Sequence, residues 1–305
     1  MINEYVKKLI LNLPNEIKNV KEPILIDLVL DGGVFNGSYL VGALFFLKEM
    51  ENQNFIKIDR ISGCSVGSII AFLYYIDCLE LMSKFYEIIY NDFKESFNLK
   101  LIKDLKKLLG EHIPDKICEK VNNKFYITYY NIKKGCKVIK SVFKNEDELL
   151  CSIIKSCFVP FLIDGNILYQ NKYVDGVNPF IFEKEHNKKI LYLDLFGLDK
   201  IGNLLNVKNE RSNYHRILSG LLDIHTFFIK KSNTQMCSFK EDWSILNYSF
   251  IYIKCLFEKI CIYLIYIMIF IKENTPEKWK DTIIAKIIIK IVQDIFVILL
   301  ENYCL

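Results

Sequence analysis

Two apolar patterns take turns along the first part of the chain. "PILIDLVLDGG" (23–33) is a continuous run rich in Ile, Leu and Val, closed by two glycines. It predicts a buried strand feeding a tight loop. "SYLVGALFFLKEM", from Ser38 to Met50, changes to helical period, with Ser38 placed as a cap. "NFIKIDRISG" (54–63) predicts a second strand, and "SVGSIIAFLYYIDCLELM" (65–82) a buried helix. Strand, glycine loop, helix, strand, helix is the opening of a parallel sheet covered by helices on both sides. Ahead of it, Glu4 to Leu13 predicts a short amphipathic helix ending before Pro14.

Further on, Leu79 to Val121 reads as helix with breaks near Asn98, Gly110 and Pro114. "KFYITYYNIKKGCKVIKSVFKN" (124–145) predicts two alternating strands joined at Gly135. Asn145, followed by three acidic residues, starts a helix that runs to about Cys157. "KKILYLDLFGL" (188–198) adds another strand. The tail differs. Ile260 to Ile271 is twelve apolar residues, preceded by Lys254, Glu258 and Lys259. A bilayer span needs about 20 such residues, so the run is too short to cross. A second helix is expected over 281–300, mostly apolar with one narrow polar face. Both helices are expected to pack on the core or to lie at a lipid interface. The chain thus divides into a helical lead-in (1–23), an α/β core (24–200) and a helical region (201–305).

Three short motifs carry candidate chemistry. Gly63, Ser65 and Gly67 form G-x-S-x-G between a strand and a helix. That is the context in which a serine is held on a sharp turn at a helix N-terminus. "DGGVFNGSY" (31–39) ends the preceding strand, and its backbone amides are placed to stabilise an oxyanion at the same sheet edge. It is not a dinucleotide loop, because the central glycine position of that fingerprint is Val34. "NKYVDGVNPF" (171–180) puts Asp175 before Gly176, either as a plain turn or as a carboxylate able to deprotonate a serine.

In this order the motifs resemble the patatin-like phospholipases, and the resemblance runs from about Ile24 to Phe182. "YLVGALFFLKE" is similar to the helix after that family's glycine loop. "SCFVPFLIDGNILYQNKYVDGVNPF" is similar to its segment leading to Asp-Gly, with Ser156, Pro160 and Pro179 in the expected places. The resemblance implies a three-layer α/β/α fold with a mostly parallel central sheet and a Ser–Asp dyad without histidine. By position, Ser65 is the nucleophile and Asp175 the base. Gly32, Gly33, Val34 and Gly37 form the oxyanion loop, assisted by the amide of Val66. The implied activity is hydrolysis of lipid acyl esters through an acyl-enzyme, with no metal or cofactor. A phospholipid or other lipid ester is the expected substrate, a membrane surface the expected location, and a protein activator a partner some relatives use. Phe72, Tyr74 and Tyr75 are the candidate lining of an acyl pocket. Three positions depart from the family pattern. Val34 stands for a third consecutive glycine, Asn36 for a Lys or Arg, and Val177 for a Gly or Ala.

Composition narrows the alternatives. At 51% hydrophobic and 25% charged residues the chain is globular, not disordered. A formal charge of +4 is too weak to suggest nucleic acid. The ten cysteines include no C-x-x-C pair, which fits free thiols in a reducing compartment better than disulfides or a metal site. No secretory signal is read at the N-terminus, so a cytoplasmic protein peripheral to membranes is expected. Two other readings stay open. One is a Ser-His-Asp hydrolase using His186, His215 or His225, and the other a silent module that keeps the fold for binding.

Overall fold

The computed structural model describes residues 2–274 apart from 20, 97, 110–111, 198–199, 205, 207–209 and 211, and only scattered positions beyond. Most of the helix expected over 281–300 lies outside the described residues. α1 (Ile2–Leu11) and the single turn α2 (Asn15–Lys18) lead into β1 (Ile24–Leu30). α3 (Gly37–Asn52) returns to β2 (Ile56–Cys64), which turns at Ser65 into α4 (Val66–Tyr75). The single helix expected from Ser65 to Met82 is broken here, and α5 (Leu81–Ser96) starts afresh. Asp77 takes a left-handed φ of 59°, which ends a right-handed helix. Two short helices follow, α6 (Leu105–Leu109) and α7 (Ile117–Val121).

β3 (Phe125–Asn131) and β4 (Cys136–Lys140) form the expected hairpin, with Gly135 at φ 63° in its turn. α8 (Glu146–Ser156) is capped as its sequence predicts: the Asn145 side chain accepts the Glu148 N–H at 2.9 Å. β5 (Tyr173–Asp175), β6 (Lys188–Leu193), α9 (Tyr214–Lys230), β7 (Cys237–Phe239) and the long α10 (Ile245–Asn274) complete the order.

The strands form one sheet in the order β4-β3-β2-β1-β6-β7, with β5 also on β3. β3, β2, β1 and β6 are mutually parallel, whereas β4, β5 and β7 are added antiparallel. Helices cover both faces, giving the three-layer α/β/α fold with a mostly parallel centre. The sheet does not stop at residue 200, since β7 extends it and α9 packs along α3. That packing is close. A Cβ on Gly42 would lie 1.8 Å from the Ile217 carbonyl oxygen, and one on Gly220 would lie 1.9 Å from that of Tyr39.

Ser38 is not a cap. The turn Val34–Asn36 continues directly into α3, so Ser38 falls inside the helix. Its fully buried hydroxyl instead accepts the Asn213 side-chain amide at 3.1 Å, tying α3 to the start of α9.

Candidate active site

One strand brings the two distant motifs together. β2 pairs with the first half of β3 and stops with Cys64 opposite Thr128. β5 comes the other way and stops with Asp175 opposite Tyr129. Because β4 already occupies the outer edge of β3 at these residues, β5 lies on the edge that β2 has vacated. The two strands therefore meet end to end along β3. Ser65 and Asp175, 110 positions apart in sequence, become neighbours.

Ser65 itself sits at φ 50°, ψ −133°, a backbone conformation that a residue with a Cβ adopts only under constraint. The constraint comes from what surrounds it. A Cβ on Gly63 would lie 2.8 Å from the Gly67 carbonyl, and one on Gly67 would lie 2.5 Å from the Asp31 carbonyl, so only glycines let α4 start this close to β1 and β2. The Ser65 N–H donates to Ser156 Oγ at 2.9 Å, and the Ser156 hydroxyl donates to the Thr128 carbonyl at 2.6 Å. The fully buried Ser156 thus ties the turn to β3 and α8. Its identity was legible in the sequence, but its part in holding the turn was not.

Asp175 and Ser65 line the same trough, and the Ser65 hydroxyl is near enough to favour the ionised carboxylate. Asp175 Oδ1 accepts the Val177 N–H at 2.9 Å, and the Asp175 N–H donates to the Phe158 carbonyl at 2.9 Å. Burial pushes the carboxyl up to about 6, against the opposing pull of the nearby Ser65 hydroxyl and the Val177 N–H. Gly176 is required behind it, since a Cβ there would lie 2.6 Å from the Thr128 carbonyl.

The glycine loop lies on the other side of Ser65. A Cβ built on Gly32 would be 3.1 Å from Ser65 Cβ. The Gly32 N–H is committed to Asp31 Oδ1 at 3.0 Å. No hydrogen bond to the N–H of Gly33, Val34 or Val66 is found among the described residues. Gly37 packs under the serine turn, with no room for a side chain beside Val66. Two of the three departures from the family pattern carry backbone strain: Val34 has φ 42° and Val177 φ 57°. Asn36 is fully buried, and its Oδ1 accepts the guanidinium of the equally buried Arg216 at 2.7 Å.

Asp31 anchors this loop. It is buried completely, accepts the N–H of both Gly32 and Leu195, and pairs with the Lys254 ammonium from α10. Lys254 also donates to Tyr192 Oη at 2.8 Å and lies 3.4 Å from Asp194. Desolvation outweighs the Lys254 attraction and holds the Asp31 carboxyl up at about 7. In the sequence Lys254 and Glu258 look like flanks of an apolar run, and nothing there shows that both turn inward.

Two apolar spaces meet at Ser65. One runs inward between α4, α5 and α6 and is lined by Val66, Ile69, Phe85, Tyr86 and Leu105. The other is an open trough beside Gly33, Asp175 and Val177, walled by Phe257, Leu264 and Met268 of α10. Val34, Ser65 and Val159 line both. Phe72, Tyr74 and Tyr75, expected in the pocket, line neither. Only the first turn of α4 faces this space. At 1.5 Å per residue, Tyr74 starts about 13 Å further along the axis, and its hydroxyl binds Glu51 instead. The histidines also lie elsewhere. His186 is exposed, His215 faces Glu210 at 3.2 Å, and the His225 ring stacks edge-on to Phe46. Among the described residues no cluster of His, Cys, Asp or Glu is placed to hold a metal ion.

Two mouse proteins resemble part of this chain. Mouse 1-acylglycerol-3-phosphate O-acyltransferase Pnpla3 is 27% identical over 156 residues, covering 47% of this chain and 37% of its own length. Mouse omega-hydroxyceramide transacylase is 23% identical over 138 residues, covering 42% of this chain and 23% of its own. The chain therefore spans well under half the length of either relative. Residues 28–181, which hold the glycine loop, the serine turn and the Asp-Gly turn, match the patatin-like phospholipase family, and the chain belongs to it.

Proposed function

We propose that the protein is a lipid acyl hydrolase working through a Ser65–Asp175 dyad. The observation that carries the reading is the end-to-end meeting of β2 and β5 on β3, which makes Ser65 and Asp175 neighbours on one apolar trough. Asp175 takes the hydroxyl proton as Ser65 Oγ attacks the ester carbonyl carbon. The carbonyl π electrons move to oxygen, and the N–H groups of Gly33, Val34 and Val66, which have no partner among the described residues, hold that charge. Collapse breaks the bond to the alcohol, which leaves with the proton from Asp175. Water, deprotonated by Asp175, then attacks the acyl-enzyme and releases the fatty acid and Ser65.

A base with its carboxyl near 6 is ionised at neutral pH yet remains a stronger proton acceptor than an ordinary aspartate. The inward apolar space suits one acyl chain, and the trough suits the rest of a lipid. The same apolar trough favours a second reading, in which a lipid alcohol replaces water and receives the acyl group. The names of the two mouse relatives, an acyltransferase and a transacylase, fit that chemistry.

A fluorophosphonate probe tests the dyad directly. Native protein is expected to be labelled, Ser65→Ala not at all, and Asp175→Asn at a rate lower by at least about a hundredfold. Equal labelling of Asp175→Asn removes Asp175 from the mechanism. Folded native protein that resists the probe turns the reading toward a silent binding module.

A further inference from the structure

α10 is inside out. Of its thirty residues only Lys254, Glu258, Ile262 and Ile265 are buried, and they form one narrow stripe at helical spacing. The two charged members are clasps. Lys254 holds Asp31, one residue before the glycine loop. Glu258 accepts from Lys137 at 3.0 Å and from Asn178 at 2.7 Å, three residues after Asp175. The Asn178 amide also reaches the Lys254 carbonyl at 3.2 Å. One helix therefore fastens both halves of the candidate site.

At about 100° per residue, Phe257, Cys261, Leu264 and Met268 lie about 60° round from the clasps, and these are the residues that wall the trough. Tyr252, Leu256, Ile260, Tyr263, Ile267 and Phe270 lie on the far side, about half a turn away. Those six are between 49% and 73% exposed. From Ile245 to Ile271 the only charged residues are Lys254, Glu258 and Lys259, and the first two are buried. Among the described residues nothing buries this side, so the helix presents an apolar face about 40 Å long with one charge on it. Such a face is far larger than a surface normally exposes without a partner. No described helix is long and apolar enough to cross a membrane, so this one is suited to lie along a lipid surface.

We propose that the outward face of α10 inserts into the surface of a lipid layer, so that the trough to Ser65 opens directly into that layer. The occupant is identified by continuity: Phe257 and Leu264 wall the trough and are also 54% and 51% exposed, so the apolar outer surface runs unbroken into the site. This rests on the acyl-hydrolase reading for the chemistry of the occupant. Inserted, the helix is held against the lipid while Lys254 and Glu258 keep the glycine loop and the Asp175 turn in register beneath it.

The test compares the full chain with Ile260→Glu/Tyr263→Glu/Ile267→Glu, none of which lines the trough or touches the dyad. Flotation with phosphatidylcholine vesicles, with and without phosphatidylserine, reads the interaction. Light scattering after gel filtration reads the oligomeric state, and fluorophosphonate labelling reads the dyad independently. The expected result is vesicle binding by the native chain and at least about a tenfold loss in the triple variant, with labelling and far-UV circular dichroism unchanged. Hydrolysis of a soluble short-chain ester is also expected to persist, while hydrolysis of vesicle lipid falls. Native protein that does not float, or a triple variant that floats equally well through residues outside α10, overturns the proposal. So does a native dimer that the three glutamates split, because the face then belongs to a second copy. Failure to label leaves the vesicle result readable on its own.

Discussion

Burial of Asp175 is both what tunes it and what it costs the fold. Its folded carboxyl, at about 6, lies above the ordinary 3.8, so the buried form favours the proton. Stability from this residue is therefore fully present below about pH 4, falls as pH rises toward 6, and stays low above it. The rise from 3.8 to about 6 corresponds to about 3 kcal/mol at most. Asp175→Asn keeps the shape and removes the charge, so it is expected to stabilise the protein by about 1–3 kcal/mol at pH 7, with the difference vanishing near pH 4. Urea melts across that range read it, and an unchanged or lowered stability at pH 7 would count against a desolvated carboxylate. Probe labelling of the native protein should rise through an apparent midpoint near 6 for the same reason. The strain at Ser65, Val34 and Val177 belongs to this scale too, with φ values of 50°, 42° and 57°. All three border the candidate site, where the surrounding packing holds conformations that an isolated residue would leave.

At the level of elements, the site depends on how closely helices approach the sheet and one another. α3 carries the end of the glycine loop, and α9 is pressed against it by two glycines with no room for a methyl group. Gly42→Ala and Gly220→Ala are each expected to destabilise the protein by about 3 kcal/mol or more, because the atoms in the way are backbone and cannot rotate aside. Exposed helical glycines elsewhere usually gain stability from the same change. Thermal melts of the two variants decide the matter. α3 and α4 were both expected as helices from the sequence, and both are buried nearly all round. The break after Tyr75 was not readable, because nothing local distinguishes Asp77 in a left-handed turn from an aspartate inside a helix. Ser38 misled for a related reason: it is a good cap residue, but the chain before it was already helical.

For the molecule as a whole, the decisive contacts join segments far apart in the chain. Lys254 reaches Asp31 across 223 positions. Lys254→Met is expected to cost about 3–5 kcal/mol, since it leaves a buried carboxylate without its partner. The pH dependence carries the signature. With Lys254 present, the Asp31 carboxyl stands at about 7, so its contribution to stability declines from about pH 4 to 7 and then levels. Without Lys254 the carboxyl rises further and the decline continues, so the gap between native and variant is expected to widen above pH 7. Denaturant melts between about pH 5 and 9 measure it, and a gap independent of pH would mean that Lys254 contributes packing rather than charge.

The chain by itself determined the elements and the chemistry on offer. A continuous, β-rich apolar run ended by glycines reads as a buried strand entering a tight turn, and the order of glycine loop, G-x-S-x-G and Asp-Gly was sufficient to indicate the family. Only the tertiary structure decided which groups meet. That β5 takes over the edge of β3 where β2 ends, that Asp31 finds Lys254 across the chain, and that α10 turns Lys254 and Glu258 inward and most of its apolar side outward are results of long-range packing. Periodicity reports which face of a segment is apolar, but not what that face will touch. In α10 the inward stripe joins Lys254 to Asp31 and Glu258 to Lys137 and Asn178, with Ile262 and Ile265 packed beside them, and this long-range pairing leaves most of the helix's apolar surface outside.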